Sequence, residues 1–342
     1  MTGELARALD RRGLSASEAR TIFERLLAPE TPEAERAGLL VALAARPTDE
    51  GELTSFAREM RRRATPFELP EGDHAIDLCG SGGAPTPSFN VSTVSAFVVS
   101  ACGVPVAKHG NRSASGICGS SDLLEALGLP VTTSVEFARA SYRSHRLAFL
   151  HAPLYHPAAK AVGPARRALG IPTIFNRLGP LCNPAPVRYQ VAGAPTPALA
   201  RSFATALGRL GVRRGVAMSS TDGCDEFSPR ATTLAFSWSG PRSGRRLVRP
   251  AGLLTARERR GSWLPLPPPQ AAEEAARILR GADGARAGSV LLTSGTALWV
   301  SGAAPTIGAG VARARHALQD GSAAEVLVKL QELAGDFRGA RA

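Results

Sequence analysis

Apolar residues recur at helical spacing through the N-terminal part of the chain. Ser15-Ala16-Ser17-Glu18 forms a capping-box pattern ahead of the series Ile22, Leu26 and Leu27. Thr31-Pro32 offers an N-cap residue followed by a Pro at the first helical position, and Leu39, Leu40 and Leu43 continue at helical spacing. Thr48 is placed to cap a third helix through Leu53, Phe56 and Met60. Pro66 and Pro70 end the region. A small helical bundle is therefore expected over residues 1–70.

The rhythm changes near residue 74. Ala75-Ile76-Asp77-Leu78 is a short strand candidate that runs into glycines, Val91 to Cys102 reads as a helix, and Val104 to Ala107 as a buried strand. Strand, helix and strand in that order predict parallel pairing and an α/β domain. Ser121 to Leu127 reads as a short helix closed by Gly128. Pro157 to Leu169 is predicted to be one helix that packs back on the bundle. Further along, Ala198 to Leu210 is a helix and Val216 to Ser219 a strand. Arg230 to Pro250 alternates like antiparallel strands, and Ser262 to Pro269 is a Pro-rich loop. The C-terminal part predicts a helix over Ala271 to Arg280, a strand at Val290 to Leu292, and helices over Thr296 to Val300, Ile307 to Leu318 and Ala323 to Leu333. No internal repeat is apparent.

Composition narrows the setting. Of the 342 residues, 44% are hydrophobic and 20% charged, which suits a globular protein with a sizeable core. Met1 to Arg12 carries charges and no apolar run, so no secretory signal is expected. The stretch Val94 to Val106 is too short and too broken to span a bilayer. The five cysteines, Cys79, Cys102, Cys118, Cys182 and Cys224, form no CxxC pair and no zinc-type cluster. Scattered single cysteines suit a reducing cytoplasm. A net charge of +12 admits a nucleic-acid partner. That signal is discounted, because Lys108, Lys160 and Lys329 are the only lysines and the arginines are scattered, without interleaved aromatics.

Three segments concentrate polar chemistry. Gly80-Ser81-Gly82-Gly83 follows the strand candidate, and Asn90-Val91-Ser92-Thr93 opens the next helix. Glycines bring backbone amides close to a ligand, and a helix start attracts anions. The same residues also suit a plain tight turn with an N-cap. Lys108-His109-Gly110-Asn111-Arg112-Ser113 follows the second strand, where α/β proteins bind ligands. A compact ammonium at Lys108 meets a phosphate where a planar guanidinium would not fit; the alternative is a solvated turn. Gly119-Ser120-Ser121-Asp122 adds a second anion-friendly helix start. Asp222-Gly223-Cys224-Asp225-Glu226 supplies adjacent carboxylates, good Mg²⁺ ligands or an ordinary acidic loop. Together the segments describe a place for a phosphorylated ligand with magnesium.

At this point a resemblance becomes specific. The segments GSGG, SFNVST, AKHGNRS and GSSDLLEALG between Asp77 and Gly128 resemble the anthranilate phosphoribosyltransferase family. HPAAKAVGPARRALGIPTIFNRLGPLCNPA and DGCDEFSP look like that family's further motifs, in the same order, over roughly residues 1–335. The resemblance implies an α/β fold with a small N-terminal helical domain and a larger α/β domain around a mainly parallel sheet. It divides the chain into residues 1–70, joined by a returning segment about 156–182, and residues 71–155 with 183–342. It implies transfer of phosphoribose from phosphoribosyl pyrophosphate to anthranilate in tryptophan biosynthesis, by a cytoplasmic homodimer with two Mg²⁺ ions and no membrane.

Carried over by position, Gly80, Gly82, Gly83, Ser88, Asn90, Ser92 and Thr93 would hold phosphoribosyl pyrophosphate, with Lys108 and Ser120 completing the cradle. The loop from His109 to Ser115 would close over it. Ser92, Asp225 and Glu226 would hold the metal. Gly80, Asn111 and Arg166 would contact anthranilate, and Lys108 and Arg166 would carry the catalysis. Two positions depart from the family pattern. Ala84 stands where the glycine loop usually ends in Asp, and His151 stands in Phe149-Leu150-His151-Ala152-Pro153 where an aromatic residue, commonly Phe, is usual. Those departures keep open a paralogue with another aromatic acceptor. A non-catalytic paralogue that binds nucleic acid is the third reading.

Overall fold

The computed structural model describes residues 3–10, 13–47, 49–81, 86–113 and 117–339. Gly82, Gly83, Ala84, Ser115 and Thr48, all singled out above, lie outside the described residues.

The N-terminal helices are α1 (Gly3–Leu9), α2 (Ala16–Leu27), α3 (Glu33–Ala44) and α4 (Glu50–Arg62). The capping box at α2 forms as expected: Ser15 accepts from the Glu18 N–H, and the Glu18 carboxylate accepts from the Ser15 N–H. Two expected caps differ. Thr31 turns its hydroxyl to the Arg25 carbonyl at 2.6 Å, which leaves Pro32 in the cap position of α3. Asp49 caps α4, its carboxylate accepting from the Glu52 N–H. The apolar faces of these helices meet around Phe23 and Phe56, whose rings lie 5.5 Å apart.

The α/β part follows as β1 (Ile76–Cys79), α5 (Val91–Ala101), β2 (Val106–Gly110), α6 (Ser120–Ala126), α7 (Val135–His145), β3 (Leu147–His151) and the one-turn α8 (Ala152–Tyr155). Then come α9 (Gly163–Leu169), α10 (Ile174–Leu178), β4 (Tyr189–Gly193), α11 (Pro197–Arg209), β5 (Arg214–Ser220), β6 (Thr233–Ser239) and β7 (Arg242–Val248). Four helices, α12 (Pro268–Leu279), α13 (Ala285–Ser301), α14 (Ile307–Gln319) and α15 (Ser322–Gly339), end the chain.

The strands form one seven-stranded sheet in the order β3-β2-β1-β4-β5-β6-β7. Pairing is parallel from β3 to β5 and antiparallel for β6 and β7. The mainly parallel sheet expected from the sequence is thus present. Every residue of the central strand β1 is buried, as a sheet covered on both faces requires. One face packs on α5 and α13, which α14 covers in turn, with Phe97, Val98, Val290 and Leu298 in the core. The other meets α11 and the helical bundle, and this core also takes in Val162, Ala165, Ile174 and Phe175. The ring of Phe175 stacks on Phe23 at 5.7 Å, so α10 sits against α2.

Three element expectations are corrected. Val290 to Leu292 belongs to α13, not to a strand. That helix is buried on nearly every side, so its apolar run lacks the 3.6-residue signature and mimics a buried strand. Pro157 to Leu169 is broken into a 3₁₀ turn (Pro157–Val162) and α9, because Pro164 has no N–H to continue the earlier turn. The second strand lies at Val106–Gly110 rather than Val104 to Ala107, since its pairing with β3 runs on to Gly110 opposite His151. Lys108 and His109 are therefore strand residues, fixed by the sheet. Among the described residues, no helix is long and apolar enough to cross a membrane.

Candidate active site

The strand order locates the site. The chain lays down β1, β2 and β3 outward on one side and then returns to place β4 on the other side of β1. At such a reversal the carboxyl ends of two neighbouring strands part and leave a crevice for ligand. Gly80 follows β1 there, and Gly193 ends β4.

Both glycines admit the acidic segment between β5 and β6. A Cβ at Gly193 would stand 1.7 Å from the Asp225 carbonyl oxygen, so only a bare backbone fits. At Gly80 a Cβ would lie 3.2 Å from Asp225 Oδ2 and 3.3 Å from Glu226 Oε1. The segment is tied down from behind. The Ser220 hydroxyl donates to the Glu226 carbonyl at 3.1 Å, and Ser289 in α13 donates to the Phe227 carbonyl at 2.7 Å. Asp225 and Glu226 thereby face β1 and the start of α5.

Their hydrogen bonds come from the glycine loop and that helix start. Asp225 Oδ2 accepts from the Ser81 backbone N–H and from its hydroxyl, both at 2.6 Å. Glu226 Oε1 accepts the Ser92 N–H at 3.3 Å. Both side chains are nearly enclosed, and burial together with the negative charge of Asp225 pushes Glu226 above the usual carboxylate range. Two carboxylates beside the hydroxyls of Ser81 and Ser92 are hard oxygen donors, the set that suits a small divalent cation. Among the described residues there is no group of three or more His, Cys, Asp or Glu able to hold a metal alone. Water and phosphate oxygens would have to complete the shell.

Lys108 reaches into the same region from β2. Its ammonium, 3% exposed, donates to the Leu78 carbonyl at 2.7 Å. Asp77 lies fully buried beneath it, accepting from the His109 N–H at 3.1 Å and from Gln190 Nε2 at 3.4 Å. Burial pushes Asp77 up, and the Lys108 charge opposes that rise; the same charge opposes the rise at Glu226. The Lys108 charge therefore acts on two buried carboxylates.

A second arm is built by the start of α6. Ser120 Oγ and Asn111 exchange hydrogen bonds through the Asn111 backbone N–H and carbonyl, both at 3.0 Å. Asn111 Oδ1 accepts the Arg112 N–H at 2.7 Å. Asp122 accepts from Gly119 N–H at 2.9 Å and Ser113 N–H at 3.0 Å, and so pins the described part of the 109–115 segment to the helix. Lys108 and Ser120 line one small cavity together with Gly110, Ser121 and His151.

The remaining candidates are placed as follows. Asn90 donates to the Cys118 carbonyl at 3.0 Å, while its buried Oδ1 has no partner among the described residues. Thr93 is buried in the first turn of α5, and Ser88 hydrogen-bonds the Cys224 thiol. Arg166 in α9 is half-buried, stacked 5.5 Å above the Phe175 ring, with a long 3.4 Å contact to Asn176 Oδ1. Among the described residues no hydrogen bond joins Arg166 to Asn111 or Gly80. The structure thus gathers Gly80, Ser92, Lys108, Asp225 and Glu226 in one place and Lys108, Ser120 and Asn111 beside it. Arg166 stands apart on the helical side.

Sequence reasoning missed Asp77, Ser81 and Gly193. A signal existed for Asp77: a lone carboxylate inside Ile76-Asp77-Leu78 contradicts a fully apolar strand. Gly193 carried none, because its role depends on a segment distant in sequence.

The helical bundle and the mainly parallel sheet are each matched by a glycosyl transferase family model. The family model described as glycosyl transferase family, helical bundle domain, matches residues 5–64, and the one described as glycosyl transferase family, a/b domain, matches residues 72–324. The anthranilate phosphoribosyltransferase of Desulfitobacterium hafniense (strain Y51) is 38% identical over 315 residues, covering 91% of this chain and 92% of that protein. The one from Solibacter usitatus is 39% identical over 342 residues, covering 98% of each. The crystal structure of anthranilate phosphoribosyltransferase from Thermus thermophilus superposes with a TM-score of 0.88 at 34% identity, over 97% of this chain and 99% of that one. The Saccharomyces cerevisiae enzyme, solved in complex with PRPP and Mg, shares the fold at a TM-score of 0.84 and 21% identity, over 98% of this chain and 99% of that one. The chain belongs to the anthranilate phosphoribosyltransferase family.

Proposed function

We propose that the chain transfers the phosphoribosyl group of phosphoribosyl pyrophosphate to anthranilate, giving N-(5-phosphoribosyl)anthranilate and pyrophosphate. The observation that carries this reading is the convergence of Asp225 and Glu226 on Gly80, Ser81 and Ser92 at the switch point. A pure binding protein has no need of two carboxylates held against an anion-binding helix start.

Ser92, Asp225 and Glu226 are assigned to Mg²⁺, which would neutralise charge on the pyrophosphate; that the yeast relative was solved in complex with PRPP and Mg favours magnesium as the metal. Gly80, Gly82, Gly83, Ser88, Asn90, Thr93, Lys108 and Ser120 are assigned to the phosphates and ribose. The orphaned Oδ1 of Asn90 is a group in want of a partner there. Asn111 and Arg166 are assigned to anthranilate, whose planar carboxylate fits a guanidinium fork.

The aryl amine is neutral near pH 7, so no strong general base is required. Its nitrogen attacks C1 of the ribose, the C1–O bond to pyrophosphate breaks, and the amine proton is lost to solvent. The costly event is separation of charge, positive on the ribose and negative on the leaving group. Lys108 answers the second by electrostatics already in place, and Asn111 and Arg166 answer by orientation.

Residues 1–70 with about 156–182 are assigned to one helical unit, on the packing of Val162, Ala165 and Phe175 with Phe23 and Phe56. Exposed Leu9, Val41 and Ile171 on that unit support a homodimer interface. Five free cysteines suit a cytoplasmic location.

The second reading, another aromatic acceptor, rests on the two departures at Ala84 and His151. The test is a panel of aromatic acids offered with phosphoribosyl pyrophosphate and Mg²⁺, with products identified by mass. Preferred conversion of anthranilate supports the first reading, and preferred conversion of another acid overturns it.

A further inference from the structure

The cavity beside the acidic pair contains a group that the family pattern does not supply. His151 ends β3, opposite Gly110 in the parallel register with β2. Its ring is 7% exposed and lines the cavity with Lys108, Gly110, Ser120 and Ser121. His151 Nδ1 lies 2.8 Å from the Ser121 hydroxyl.

That contact fixes the tautomer. Ser121 is 2% exposed, and a buried O–H must find an acceptor. The acceptor present is His151 Nδ1, so the hydroxyl donates to it and the ring proton sits on Nε2. Burial, with the nearby positive charge of Arg112, holds the ring neutral, while Asp122 and Glu125 oppose that shift. The remaining polar atom of the ring is therefore an N–H donor, in a cavity whose other polar groups are the Lys108 ammonium and the serine hydroxyls. Leu124, Val131, Phe149 and Leu150 complete the lining, so the polar side of the cavity consists of Lys108, Ser120, Ser121 and His151, with no carboxylate among them, a set of donors that favours an anion over a cation.

We propose that His151 is a further phosphate-binding residue of this chain, donating through Nε2 to phosphoribosyl pyrophosphate beside Lys108 and Ser120. A Phe at this position would have no such donor. The inference rests on the reading that this cavity serves phosphoribosyl pyrophosphate.

The test compares wild type, His151→Phe and His151→Gln. Binding of inorganic pyrophosphate with Mg²⁺ is measured by calorimetry, and KM for each substrate is measured by steady-state kinetics. Loss of one hydrogen bond to a charged group predicts that His151→Phe weakens pyrophosphate binding and raises KM for phosphoribosyl pyrophosphate by about tenfold. KM for anthranilate stays unchanged, and His151→Gln, which keeps an N–H donor, recovers most of the loss. Pyrophosphate binding by His151→Phe within twofold of wild type overturns the proposal while leaving the function intact. Wild type that binds no pyrophosphate overturns the reading beneath it. Should His151→Phe fail to fold, Ser121→Ala takes its place: it frees the tautomer and is expected to weaken pyrophosphate binding by a smaller factor. No weakening in a folded Ser121→Ala protein overturns the proposal.

Discussion

Ser81 donates twice to one oxygen of Asp225, through its backbone N–H and its hydroxyl. The glycine loop and the acidic segment are thereby joined across the crevice, and the Asp225 carboxylate is held in one orientation. We predict that Ser81→Ala, which removes the hydroxyl bond and keeps the backbone one, lowers kcat/KM by about tenfold. It should also raise the Mg²⁺ concentration needed for half-maximal rate, as loss of an orienting partner of a metal ligand does. Asp225→Asn should lose more. A magnesium titration of each variant checks both, and a Ser81→Ala curve that overlays wild type would contradict the coupling.

Lys108 enters from β2, and its charge acts on both Asp77 and Glu226. Removing a preorganised charge of this kind costs about 3 kcal/mol in the barrier. Lys108→Ala is therefore expected to slow turnover roughly a hundredfold or more, with near-native circular dichroism as the control. Turnover within twofold of wild type would remove Lys108 from the mechanism.

Gly193 offers a purely steric test. A single methyl there collides with the Asp225 backbone, so Gly193→Ala must push the acidic segment off β4. Overpacking of this kind costs about 1–3 kcal/mol. The expected outcome is a lowered melting temperature together with a loss of activity of tenfold or more. Unchanged activity would mean that the segment has slack that the geometry does not contain.

These positions also mark what the sequence discloses and what it withholds. The helical start, the parallel sheet, Lys108 and the Asp225-Glu226 pair were legible, because local apolar spacing and local motifs encode them. The strand misread at Val290 to Leu292 was not, because a helix buried on all faces has no polar side to set its period. Strands β3 and β4 were passed over, since Leu147–His151 and Tyr189–Gly193 are short runs whose identity comes from pairing with distant neighbours. The convergence of Gly193, Ser81 and Asp225 is a property of strand order, which no local pattern records.

The histidines predict a pH effect on stability. His109 and His156 are buried with rings 5.1 Å apart, and burial holds His156 down to about 4 and His109 well below its ordinary value. Both stay neutral when folded and gain protons when unfolded below the ordinary histidine range. The contribution of these histidines to stability is thus full above about pH 6.5 and falls as pH drops toward 4, while the raised carboxylates Glu226 and Asp77 work in the opposite direction. His156 alone contributes about 3 kcal/mol across that window, from the difference between 6.5 and about 4. Urea midpoints of wild type and His156→Gln at pH 7.5 and pH 5 isolate this term: wild type should lose more, or gain less, than His156→Gln on going to pH 5. Equal slopes in the two proteins would contradict the assignment.

The proposed reaction joins anthranilate to phosphoribosyl pyrophosphate with Mg²⁺ at this site. Its most direct test follows the loss of anthranilate fluorescence across a magnesium series, with each component omitted in turn. The account predicts steady consumption that requires all three components and is largely abolished in Glu226→Gln. Folded protein that consumes no anthranilate at any magnesium concentration would contradict it.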